Sequence, residues 1–426
     1  MRHIIKLINQ IKTYDWGSPH WIPHLIGRKN SSGEPWAELW MGVHPQGPSA
    51  LDIPGEQPLL SDFINNYSEL CLGERVMREF GALPFLLKFL AAAKPLSVQA
   101  HPNLAQAQAG FERENKAGLS LQDPARSYKD PNHKPEILCA LSPFRAMCGF
   151  REPDVMRTLL ETFSQAAMTQ PGTALNAGFA RLGKALGTGD HAQEDALRLF
   201  LTILFDLPGE FRRELSAYAL EQEPVLKKMV PGHTEIWQTA AYFARLYPGD
   251  PAVIAPLYLN LINLEPGEAI YLPAGILHAY VEGLGVELMA NSDNVLRGGL
   301  TSKHVDVEEL VRILEFRPFS PAVLRPFNPI PPAFTYPTDC REFSLSAIWG
   351  KGETVPFPIS GPAIAVVTEG RAVFSCRDGS NRPAETLTLE QGESAFITFL
   401  EEGVSLTCSG SFTLYAAGIG VSPSAA

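Results

Sequence analysis

The amino-acid sequence predicts a mainly β chain, built from two small jelly-roll β-barrels of one type with an α-helical insert. Three observations carry that prediction. Short apolar runs punctuated by Pro and Gly, with a few short helices between them, fill residues 1–150, and short strands return after residue 250. Between them the apolar spacing becomes helical. Finally, residues 262–272 (INLEPGEAIYL) are echoed by residues 387–397 (LTLEQGESAFI), about 125 positions later.

Taken in order, residues 83–88 (LPFLLK) and 95–98 (PLSV) read as strands bounded by turns. Residues 1–150 would form the first part of a catalytic barrel region. Residues 151–250 read as the insert. Asp154 opens it as an N-cap with an apolar stripe behind it, 196–204 is apolar enough for a buried helix, and 235–247 reads as another. Residues 251–320 complete the catalytic barrel, and 321–426 form the second. Both echoed segments are expected to be hairpins turning at Gly-Glu. Only the first runs on to a histidine, His278, and none occurs after His304. The second barrel is therefore expected to be metal-free.

The whole-chain properties exclude several classes of function. With 426 residues, 45% hydrophobic and 19% charged, this is an ordinary globular composition for two or three domains. No apolar run approaches the roughly 20 residues of a membrane span, and Lys6, Asn9 and Gln10 break the N-terminal patch that a secretory signal would need. A cytoplasmic protein without membrane partners is expected. The net charge of −11 argues against nucleic acid, whose phosphates call for clustered cations. Six scattered cysteines, Cys71, Cys139, Cys148, Cys340, Cys376 and Cys408, contain no CxxC pair and read as reduced, buried thiols.

Four segments carry polar groups in patterns that suit chemistry. In 97–102 (SVQAHP), strand alternation puts Ser97, Gln99 and His101 on one face. In 128–138 (YKDPNHKPEIL), two prolines favour extended backbone, with Lys134 and Glu136 on one face and His133 on the other. A carboxylate entering an apolar strand needs a counter-charge or a metal. The third, 267–280, spaces residues as G-x5-P-x-G-x2-H ending at His278, which resembles the second cupin motif. The fourth, 285–303, places Glu287, Met289 and Asn291 on one strand face, followed by a loop with Asp293, Arg297 and Lys303. Together Gln99, His101, Glu136 and His278 offer two imidazoles, one carboxylate and one amide oxygen. That set suits a catalytic zinc with an open position, and by ligand count also non-haem iron.

The stretches SVQAHPN (97–103), YKDPNHKPE (128–136) and 278–306, with YDWGS (14–18) and PWAELWMGVHP (35–45), closely resemble the signatures of type I mannose-6-phosphate isomerases. The resemblance implies an enzyme interconverting mannose 6-phosphate and fructose 6-phosphate; a monomer is expected. It also implies one Zn2+ at Gln99, His101, Glu136 and His278. Lys134, Glu287 and Asp293 are the unranked acid/base candidates, and Arg297 the charge stabiliser of enediolate or phosphate. Ser97, Lys88 and Lys303 are the expected phosphate contacts. Trp16 and Tyr280 are expected to line the sugar site, and His133 to assist ring opening. A sugar-binding cupin without activity would not need Lys, Glu and Arg converging on its metal pocket, and Gln99 is unlike the His-rich ligand sets of iron dioxygenases.

Overall fold

The computed structural model describes residues 2–187, 193–326, 332–359, 361–377, 383–401 and 405–420. Helix and strand occur in comparable amounts, which corrects the expectation of a mainly β chain. Helices lie outside the insert as well, at Leu60–Asn66, Ser68–Phe80, Leu104–Lys116 and Val307–Ile313. The third begins at a capping box, in which the Asn103 side chain accepts from the Gln106 amide and Gln106 reaches back to Asn103. The Pro and Gly punctuation around it masked this start signal.

Five helices follow one another from Pro153–Met168 to Thr234–Leu246. Their apolar faces do not form a separate core. Phe163, Phe200, Phe211 and Trp237 pack in one cluster with Val98 and with the strand residues Ala100, Met147, Ala279 and Leu296. Burying each large side chain contributes about 1.5–3 kcal/mol, so the helical block holds the strands that carry His278 and Arg297 and the one that leads into His101.

The described strands form two sheets, of ten and eight strands. In the ten-stranded sheet the strand Phe85–Ala92 lies between Glu38–Gly42 and the long strand His278–Ala290. Phe85, Leu87, Phe89 and Ala91 face a core shared with Leu345, Val366, Phe396 and Tyr415 of the eight-stranded sheet. Alternation then turns Leu86, Lys88, Leu90 and Ala92 the other way. Lys88 stands opposite Glu287 on one neighbouring strand and Trp40 on the other. The first strand, Ile4–Ile8, pairs with Ser394–Ile397, so the N-terminus is built into the eight-stranded sheet.

The echoed segments are not hairpins. Leu259–Leu264 pairs with Phe144–Phe150, whereas Ala269–Leu272 pairs with Glu136–Ala140. Pro383–Glu390 and Ser394–Ile397 likewise pair with different parts of Ala363–Arg377 rather than with each other. Each echo is a corner, and the two corners are built alike. Glu268 N donates to Glu265 O at 2.9 Å and Glu393 N to Glu390 O at 3.0 Å. The carboxylates of Glu268 and Glu393 both accept from the first glutamate's amide at 3.0 Å. Gly267 (φ 89°) and Gly392 (φ 81°) supply the left-handed backbone that the corner requires.

Candidate metal centre and its cation wall

His278–Ala290 is one 13-residue strand. Its register shifts between Tyr280 and Glu282, and Gly283 follows, where a Cβ would sit 2.4 Å from the Phe144 ring. The first half pairs with Gln99–Ala100 and Phe144–Phe150, the second with Phe85–Ala92 and Glu136–Ala140. This one element therefore carries His278 beside Gln99 and Glu287 beside Lys88.

His101, Glu136 and His278 come together at the junction, each about 1% exposed. Among the described residues they are the one group of three or more His, Cys, Asp or Glu whose ligand atoms converge, all lying within 4.8 Å of one another. The Glu136 oxygens lie 3.4 Å from His101 Nε2 and 3.5 Å from His278 Nε2. Donors about 2.0–2.1 Å from a tetrahedral zinc stand about 3.3 Å apart, so the spacing suits that ion. His101 Nδ1 donates to the Asn294 carbonyl at 2.7 Å and His278 Nδ1 to the Ile276 carbonyl at 3.0 Å. Both bonds leave Nε2 as a lone-pair donor aimed inward. His101 Nε2, His278 Nε2 and Glu136 Oε2 are buried without a hydrogen-bond partner. Three such atoms facing one another are what a divalent cation satisfies. Gln99 is the register partner of both His278 and Arg297, and its half-buried amide makes no side-chain hydrogen bond among the described residues.

Electrostatics fit the same reading. Burial, only partly opposed by Glu136, pulls the His101 imidazole from 6.5 down to about 4 and keeps it neutral. Burial pushes the Glu136 carboxyl upward, but the Lys134 ammonium at 2.7 Å outweighs it and leaves the group well below the usual carboxylate range. A neutral His101 imidazole beside an ionised carboxylate is a set ready for a metal.

Beside the centre lies a wall of buried charge. Lys88 Nζ is 2.8 Å from Glu287 and 3.4 Å from Glu38, and Trp40 Nε1 donates to Glu38 at 2.8 Å. Lys88, the expected phosphate contact, thus has its ammonium beside two carboxylates. Burial opposes that charge, yet Glu287 and Glu38 reverse the effect and hold it above the ordinary lysine range. Burial raises the Glu287 carboxyl above its ordinary value despite Lys88. Tyr280 is buried 5.5 Å edge-on from Phe144, in an apolar cluster that Trp16 also joins.

Arg297 is half-buried, burial lowers its value, and no carboxylate among the described residues pairs with it. Lys303 is exposed, with its ammonium in the field of Arg297. Ser97 lies half-buried just before the Gln99 strand. Asp293 accepts from Gln46 Nε2 at 2.7 Å and lies 3.4 Å from His44 Nε2. His133 Nε2 is 2.8 Å from Glu342. Its face, opposite to Lys134 and Glu136, is as the alternation required.

Sequence reasoning missed Glu38, Trp40, His44, Asp130 and Asn294. Glu38 carried a legible signal: a carboxylate inside ELWMG, a wholly buried strand, the same signal that singled out Glu136. All six cysteines are buried and free, and no described helix is long and apolar enough to cross a membrane.

Residues 4–153 match the family model of the phosphomannose isomerase type I catalytic domain. The chain is 38% identical over 408 residues to the mannose-6-phosphate isomerase of Escherichia coli (strain K12), covering 94% of this chain and 96% of that protein. Identity to the mannose-6-phosphate isomerase of Bos taurus is 31% over 417 residues, 93% of each chain. Among solved structures, a zinc-bound holo mannose 6-phosphate isomerase superposes with a TM-score of 0.84 at 35% identity, covering 99% of this chain and 100% of that one. The Salmonella typhimurium enzyme bound to substrate (f6p) and zinc gives 0.84 at 36% identity with the same coverage.

Proposed function

The chain belongs to the type I phosphomannose isomerase family, and from that premise we propose that it interconverts D-mannose 6-phosphate and D-fructose 6-phosphate through a cis-enediol. The observation that carries the proposal is the set of three unpartnered buried ligand atoms of His101, Glu136 and His278 standing beside the Lys88–Glu287 pair. Gln99 is the fourth ligand. Zinc, when bound, polarises the sugar oxygens and offsets charge developing on the enediolate.

The remaining steps belong to this chain's own groups. After ring opening a proton must leave C2 and return to C1. Glu287 is the base in this reading, because it is buried beside the centre and burial raises its carboxyl above the ordinary value. Lys88 and Glu38 hold it in place. Lys134, ion-paired to Glu136, and Arg297, without a carboxylate of its own, face the anionic substrate. Arg297 stabilises charge on the enediolate, while Lys303 and Ser97 receive the phosphate. Asp293, turned by His44 and Gln46, is the group placed to serve the ring oxygen. Trp16 and Tyr280 form the apolar side of the sugar site.

The alike corners at Gly267 and Gly392 support two cupin-type barrels. The catalytic one is formed by residues 1–150 and 251–320 around the 151–250 insert. The metal-free one, 321–426, takes in Ile4–Ile8. The reading includes a monomeric, cytoplasmic enzyme whose partner is a small sugar phosphate. A coupled assay of mannose 6-phosphate conversion tests it: activity should vanish on chelation and return with zinc. A folded, zinc-loaded chain without turnover would sink it and leave a sugar-binding cupin.

A further inference from the structure

Two loops flank the metal centre, and a buried and a half-buried side chain stitch them together. The first, residues 128–134, leads into Glu136 and carries Lys134. The second, residues 291–297, carries Asp293 and Arg297. Asn294 is completely buried at their contact. Its amide NH2 donates to the carbonyls of Asp130 at 2.7 Å and Asn132 at 2.9 Å, and its amide oxygen accepts from Lys129 N at 2.7 Å. Asp130 answers from the other side. Its carboxylate accepts from Ser292 Oγ at 2.9 Å and Asp293 N at 2.8 Å, besides Asn132 N in its own loop at 3.0 Å.

The carbonyl of Asn294 has a further role. It accepts the Nδ1 proton of His101 at 2.7 Å, which fixes the tautomer and the ring plane of a metal ligand. The residue that locks the two loops is therefore the one whose backbone aims the imidazole. Its side chain spends its donors and acceptor on the first loop, so the carbonyl cannot shift without breaking buried hydrogen bonds. We infer that Asn294 is a positioning residue that couples the placement of the Lys134 and Arg297 loops to zinc affinity. Loosening the clip weakens zinc binding at His101, and zinc in turn tightens the clip, because such coupling is reciprocal. This rests on the zinc reading above.

Zinc affinity of the full chain, measured by competition with a chromophoric chelator, tests the inference. Asn294→Ala and Asn294→Asp should weaken zinc binding about 10–100-fold. Melting curves of the metal-free and zinc-loaded forms supply the control. A merely structural clip lowers both by the same amount, whereas a positioning residue lowers the zinc-loaded form more. Ser292→Ala removes one hydroxyl bridge to Asp130 and is the milder variant should Asn294 substitutions fail to fold. It should weaken zinc by at least about threefold, a share of the same effect. Variants that bind zinc as tightly as a zinc-binding wild type overturn this inference alone. A wild type that binds no zinc overturns the zinc reading with it.

Discussion

Replacing Lys88 with Met should expose how much the buried charge wall depends on one ammonium. Lys88 is 4% exposed, with Glu287 at 2.8 Å and Glu38 at 3.4 Å. At an effective dielectric of about 20, each contact is worth roughly 5–6 kcal/mol before desolvation is counted. Sparing the ammonium its own desolvation offsets much of this. Two carboxylates then remain buried without their cation, and removing one partner of such a pair costs about 3–5 kcal/mol. For domains of about 150–250 residues that is a fall of roughly 6–20 °C in melting temperature.

The pH dependence is the sharper part of the prediction. Burial already holds Glu287 above 4.5, and Lys88 is the main group pulling it down. In Lys88→Met the carboxyl therefore rises further. A carboxyl with a raised folded value binds its proton more tightly when folded, so the deficit is smallest below 4.5 and deepens as pH climbs through the folded value. Melting curves of wild type, Lys88→Met and the Lys88→Met/Glu287→Gln double variant from about pH 5 to 8 would show this. The double variant should recover much of the loss, since the second change removes a stranded charge. A deficit that is flat with pH, or a double variant no better than the single, would refute the reasoning.

Three further outcomes follow from the same geometry. Glu136→Gln removes a zinc ligand and strands Lys134, so the melting gain on adding zinc at 1,000 times the wild-type Kd, about 4 kcal/mol, should disappear. Arg297→Ala should lower kcat about 10²–10³-fold while leaving zinc affinity unchanged, because the guanidinium acts on substrate charge and not on a ligand. For the metal-free protein, His101 is neutral when folded down to about 4 but takes a proton at 6.5 when unfolded. Stability should therefore be lost as pH falls through that window, on the order of 3 kcal/mol in all. An acid titration followed by circular dichroism measures it, and a His101→Gln variant should lose that share of the slope.

Much of the site was legible in one dimension because strand alternation is local. Gln99 and His101 could be put on one face, Lys134 and Glu136 on another, and His133 opposite them, without knowing any strand partner. The wholly buried Glu38 strand could have been read by the same rule, but its ion pair could not. Lys88 and Glu287 are 199 positions apart, and only strand register brings them to 2.8 Å. His133 likewise meets Glu342, which lies 209 positions away.

Local sequence carried the family, the residue types offered to a metal and the likeness of the two Gly-Glu turns, since each depends on residues within a short stretch of chain. Only the tertiary structure decided that those corners join strands with separate partners, that the helical block shares its core with the site, and that Asn294 aims His101. Pairing partners and loop contacts are chosen by the fit of distant surfaces and by the need to satisfy every buried polar group. No local pattern encodes that choice.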